Sequence, residues 1–100
     1  MVIKYYDGDL LGTKIYVDEK NKKIEIENYT DVLLSRAFGI NENPTWKDFE
    51  EMLEERCIPR DRQNLQYVLK TIGVDEYNPL EICKRTGGRM AHDCCWMSFE

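Results

Sequence analysis

From Val2 to Tyr6 the chain is an apolar and aromatic run that stops at the turn signal Asp7-Gly8-Asp9. A second run, Thr13-Lys14-Ile15-Tyr16-Val17, is β-branched and alternating, and after the polar stretch 18–23 the segment Lys23-Ile24-Glu25-Ile26-Glu27 alternates strictly. Successive side chains on a strand point to opposite faces, so Ile24 and Ile26 share one face and the two glutamates take the other. The pattern predicts a small antiparallel β-meander over residues 2–28. Two hairpins alone are marginal in water, so the remaining chain has to cover the apolar face.

After Thr30 the period becomes helical. Residues 31–38 predict a short helix with Val32, Leu33, Ala37 and Phe38 turned inward and Gly39 as its stop. The next segment, INENP, reads as a loop. Thr45 with Asp48 three positions later approximates a capping box and opens a helix over 46–56. Trp46, Phe49, Met52 and Leu53 form its apolar stripe; Asp48, Glu50, Glu51, Glu54 and Glu55 crowd the rest. Proline at 59 lacks an amide hydrogen and disfavours helical geometry at Ile58, so the helix ends there and a new one follows. Leu65, Val68, Leu69 and Ile72 carry that helix over 60–72, with Gly73 as its cap. Asn78-Pro79 offers an N-cap and a proline at the first helical position, predicting a helix over 79–86 closed by Gly87-Gly88. The tail, 88–100, has no clean period, and Trp96, Met97 and Phe99 predict a segment packed back on the domain. The expected architecture is a single α+β domain over 1–100. Its meander is covered by three to four short helices within 30–87.

Composition narrows the function classes. At 100 residues with 42% apolar and 11% aromatic content, the chain builds one core and no large cleft beside it. Lysine and arginine total 14 against 19 acidic residues, a net charge of −5, so no global field draws phosphate backbones and direct nucleic-acid binding is not expected. The apolar runs are short and the start, MVIKYYDGDLLG, lacks the hydrophobic region of a signal peptide; the expectation is a cytoplasmic protein without membrane association. Of cysteines 57, 83, 94 and 95, three are late and two adjacent, unlike the spread-out framework of a secreted mini-domain, and they read as reduced thiols.

His92 with Cys94, Cys95 and Cys83 supplies soft ligands of the kind zinc prefers, but adjacent cysteines seldom serve one tetrahedral ion and no second cysteine pair exists. Neither metal nor cofactor is expected. A Cys–His nucleophile pair would need Asp93 as its orienting group, and residues so close in sequence seldom converge. The carboxylates of the acidic helix lie on a solvated face that gives no pKa shift for acid–base work. Gly87-Gly88 lacks the lysine of a phosphate loop. The chain therefore reads as a non-enzyme, and recognition surfaces remain. One is the acidic face of 48–55, with Glu51 and Glu55 as contact residues. The other is the helix joint with Arg56, Pro59, Arg60 and Arg62, together with Asp93 and Trp96 of the tail, because guanidinium presents planar paired donors to carboxylates or phosphates. Internal pairing of these arginines with Glu54, Glu55 or Asp93 is the competing reading, in which the joint is a structural clasp.

The stretches ERCIPRDRQNLQYVLKTIGV and PLEICKRTGGRMAHDCCWM resemble part of the N-terminal region of bacterial HipA-like serine/threonine kinases. The shared pattern is Arg56, Ile58-Pro59, Arg62, Leu65, Leu69, Ile72-Gly73, Leu80, Gly88, Asp93 and Trp96, over roughly the last half of the chain. It departs from that pattern at Cys95, where an aromatic is usual, and in the more acidic helix 46–56. In that family the kinase core follows the matched region, and none of its motifs occurs here. In some toxin–antitoxin systems the N-terminal subdomain is a separate small protein that binds and restrains the kinase. The resemblance thus implies a non-catalytic accessory or antitoxin-type regulator whose partner is a HipA-like kinase or another toxin. The alternative is an acidic inhibitor from a mobile element that mimics nucleic acid.

Overall fold

The computed structural model describes every residue of the chain except His92. Strands β1 (Val2–Asp7), β2 (Leu10–Asp18) and β3 (Lys23–Asn28) follow one another in sequence. Helices α1 (Trp46–Glu55), α2 (Leu65–Thr71) and α3 (Pro79–Thr86) come next, and β4 (Cys95–Phe99) ends the succession. The sheet is antiparallel in the order β3-β2-β1-β4, which makes the fold α+β.

Alternation sorts the sheet into two faces. Ile3, Tyr5, Thr13, Ile15, Val17, Cys95 and Met97 are buried beneath the helices, where they meet Phe49, Met52 and Leu53 of α1, Leu69 of α2, and Ile82 and Cys83 of α3. The opposite face carries Lys4, Tyr6, Lys14, Tyr16 and Trp96, of which Tyr6 and Trp96 stack with their ring centres 4.5 Å apart. The capping box forms as its spacing predicts: Asp48 N–H donates to Thr45 Oγ1 at 3.3 Å, and Thr45 N–H donates to Asp48 Oδ2 at 2.9 Å. Asn78 caps α3 in the same manner, its Oδ1 accepting from Glu81 N–H, and Pro79 takes the first helical position.

Three segments differ from the sequence expectation. Residues 31–38 do not form a helix; only Leu33–Ser35 makes a 3-10 turn, between Val32 and Arg36 in extended backbone (ψ 106° and 145°). Side chains take the place of helical bonds there: Thr30 Oγ1 accepts from Val32 N–H and Thr13 Oγ1 accepts from Ala37 N–H. The helix expected over 60–72 is confined to 65–71, because Arg62 N–H closes a turn onto the Pro59 carbonyl and Asn64 is left-handed (φ 60°). The tail contributes a strand, pairing Tyr5 with Met97 and Tyr6 with Trp96 along β1. Among the described residues no helix is long and apolar enough to cross a membrane.

Candidate protein-interaction surface

Where a helix with an inward apolar face was expected, the chain turns that face out. Val32, Leu33 and Leu34 are exposed, Leu34 at 90%, and Ile40 is exposed at 82%. Leu10, at the β1–β2 turn, is a further exposed leucine at the same end of the sheet. Exposed single apolar residues are ordinary; here three stand in a row, with Ile40 as a fourth further along the same loop.

The base of this loop is rigidly held. Ser35 is buried, and its Oγ donates to Asp7 Oδ2 at 2.7 Å. Arg36 Nε donates to the Thr30 carbonyl at 2.7 Å. Thr13, fully buried on β2, donates from Oγ1 to Asn28 Oδ1 at 2.8 Å and accepts from Ala37 N–H at 3.1 Å. One hydroxyl thereby ties two strands to the loop. Gly12 lets the loop settle directly on the β2 backbone, since a β-carbon there would lie 1.9 Å from the Ser35 carbonyl oxygen. Side chains at 32–34 are therefore presented from a fixed platform, not a slack connection.

A shallow groove runs from this loop to α1. Phe38 and Met52 belong to its floor and Asp48, Glu51 and Glu55 to its acidic side. Glu51 and Glu55, the acidic contact residues expected from sequence, thus share a groove with Ala37, Phe38 and Gly39, the residues that follow the exposed run along the chain.

The arginines of the joint divide into two roles. Arg56 is turned inward: Nε donates to the Gly88 carbonyl at 2.7 Å, Nη1 and Nη2 grip the Asp93 carboxylate at 3.2 and 2.8 Å, and Nη2 also reaches the Cys95 carbonyl at 3.0 Å. Its side chain is 11% exposed. Burial works against the charge, and the Asp93 bond with the neighbouring Tyr5 more than offsets it, so the guanidinium is held above its ordinary value. Arg60 pairs with Glu54 at 2.6 Å and lies over the Tyr77 ring. Arg56 and Arg60 therefore follow the clasp reading. Arg62 is exposed and makes no side-chain hydrogen bond or ion pair among the described residues; Pro59 beside it is exposed as well. Trp96 donates from Nε1 to the Gly8 carbonyl at 2.9 Å, with Arg89 over its ring.

Comparison of the chain with family models, curated proteins and solved structures finds no match.

The thiols differ in exposure. Cys83 is fully buried and its thiol is pushed up to about 12, chiefly by burial; Cys57 is raised for the same reason. Neither is a thiolate at neutral pH. Cys94 is exposed and Cys95 buried. His92, the remaining member of the soft-ligand group considered from sequence, lies outside the described residues. Among those that are described, no three histidine, cysteine or acidic side chains converge as metal ligands would.

Sequence reasoning placed the acidic rim but missed the leucines. The signal was present in VLLSRAFGI, where Ser35 and Arg36 interrupt the helical stripe and make both faces partly polar.

Proposed function

We propose that the chain is a non-catalytic protein-interaction module, an accessory or antitoxin-type regulator of a HipA-like kinase or of another toxin in a toxin–antitoxin locus. The observation that carries the interaction role is the exposed Val32-Leu33-Leu34 run on its pinned base beside an acidic groove. Apolar anchors surrounded by charge give a partner both burial energy and orientation. The partner's matching surface is an apolar socket with basic residues at its margin, facing Glu51 and Glu55. The choice of a HipA-like kinase as partner rests on the sequence pattern from Arg56 to Trp96.

The test is a binding isotherm with a HipA-like kinase from the same host, using the wild-type chain and the double variant Leu33→Ser/Leu34→Ser. Wild-type binding that weakens at least about a hundredfold, roughly 2.8 kcal/mol, in the folded variant supports the proposal. Equal affinity of the two proteins moves the interface elsewhere, and no binding by the wild type removes the kinase as partner.

A further inference from the structure

The two edges of the sheet are treated differently. On β4, Val2 N–H donates to the Glu100 carbonyl, so the even-numbered residues of this strand bond to β1 and Cys95, Met97 and Phe99 turn their backbone groups outward. That edge is largely blocked: Met97 N–H donates to the Gly87 carbonyl at 2.7 Å, and the Cys95 carbonyl is taken by Arg56 at 3.0 Å. On β3, Tyr29 N–H donates to the Gly12 carbonyl, so the odd-numbered residues face β2. Ile24, Ile26 and Asn28 turn their N–H and C=O groups away from the sheet, and no backbone bond is made by them among the described residues. Proteins ordinarily blunt such an edge with a proline, a bulge, an inward charge or a covering loop. Here the inward residues are isoleucines. They line a groove whose other wall is Glu42, Asn43 and Pro44.

The charge order of β3 specifies what fits. Lys23, Glu25 and Glu27 occupy its solvent face, and Ile24 and Ile26 its inner face. An antiparallel second copy can be laid on this edge so that Ile24 lies opposite Ile26 of the copy, and Ile26 opposite its Ile24. Both isoleucine pairs then exchange backbone bonds across the two-fold axis. In that register Lys23 faces Glu27 of the copy on both sides of the axis, with Glu25 facing its own counterpart at the centre. Sliding the copy by two residues toward Asn28 sets Glu25 against Glu27 twice. Sliding it the other way carries the pairing into Lys22, which is left-handed (φ 52°) and cannot extend the strand. One register thus combines opposite charges with complete bonding inside β3.

The geometry points to a homodimer in which β3 pairs with β3 of a second copy, joining two four-stranded sheets into one of eight strands with all helices on the same face. This goes beyond the regulatory role and does not depend on it. The surface is distinct from the exposed leucines.

Sedimentation velocity from about 1 µM to about 1 mM provides the test. The wild type is expected to pass from monomer to dimer within that range. Lys23→Glu alone and Glu27→Lys alone each place like charges face to face twice, and each is expected to weaken self-association at least tenfold. An equimolar mixture of the two variants restores opposite charges at both positions and is expected to dimerise at least as well as the wild type. Circular dichroism on each variant confirms that the fold is intact; both sites are on the solvent face, and the mixture is read against the same folded proteins. A wild type that stays monomeric, a dimer indifferent to both reversals, or a mixture no better than its components would each overturn the assignment.

Discussion

Gly12 and Ser35 touch where a β-carbon cannot enter: the ideal position lies 1.9 Å from the Ser35 carbonyl oxygen and 3.0 Å from its carbon. Both obstructing atoms are backbone, so no side chain can rotate away. Gly12→Ala should push the 32–36 segment off β2 and cost about 1–3 kcal/mol, the usual range for overpacking. Thermal melting together with amide hydrogen exchange checks this; the protection lost should be concentrated at Ser35 and Ala37. An unchanged melt with unchanged exchange at these amides would show that the loop does not depend on this contact.

Much of the fold was legible because its signals are local. Strict alternation in Lys23–Glu27, the Thr45/Asp48 spacing and the Asn78-Pro79 pair each act within a few residues, and each element they announce is formed. The segment 31–38 was misread because its conformation is set by groups far along the chain: Asp7, Gly12 and Thr13 capture Ser35 and Ala37 and outweigh a weak helical stripe. Cys95–Phe99 gave no sign of being a strand for a similar reason, as its pairing partner is at the opposite end of the sequence. Of the site, composition revealed the acidic rim at Glu51 and Glu55. The exposed leucines left only a weak trace, the interruption of the stripe by Ser35 and Arg36, since periodicity says which residues share a face and not whether that face is covered.

The joint predicts an asymmetric response to alanine. Arg56→Ala removes four donor bonds at once and leaves the Asp93 carboxylate, 29% exposed, without its guanidinium. The loss expected is about 1–3 kcal/mol, the cost of leaving the part-buried Gly88 and Cys95 carbonyls without their donors. Arg62→Ala, at an exposed position, should stay within about 0.5 kcal/mol. Urea denaturation of the two variants side by side measures the difference; equal midpoints would show that the clasp contributes no stability.

Thiol reactivity should follow exposure. In the native protein Cys94 is open to solvent while Cys57, Cys83 and Cys95 are buried. Ellman's reagent at neutral pH is expected to titrate Cys94 quickly and the other three only as the protein unfolds. The Cys94→Ser variant should abolish the fast phase, and a fast phase surviving in that variant would contradict the burial.

Acid should weaken the start of α1. Bonds from the Thr45 backbone N–H come first among the causes that hold the Asp48 carboxyl below its usual value of 3.8. A folded-state pKa below the unfolded one gives a contribution that is complete above the unfolded value and fades as the pH falls through the folded value. Asp48→Ala should therefore melt at lower temperature than the wild type at pH 7, and the gap should narrow as the pH is lowered through the carboxylate range. A gap that is constant or widens toward acid would exclude the capping carboxylate as its cause.

The position of β4 has a consequence for the order of assembly. β1 receives β2 through a short turn, whereas Asp7 and Cys95, which also pair, are 88 residues apart (95 − 7). Closing so long a loop costs entropy before any contact repays it, so topology makes this pairing the late step of folding. Until it forms, Val2, Lys4 and Tyr6 hold their backbone groups open on a strand that is destined to be interior. A chain that has formed β1 to β3 without β4 would have two free edges in place of one, and crowding of such chains should favour misassembly through β1.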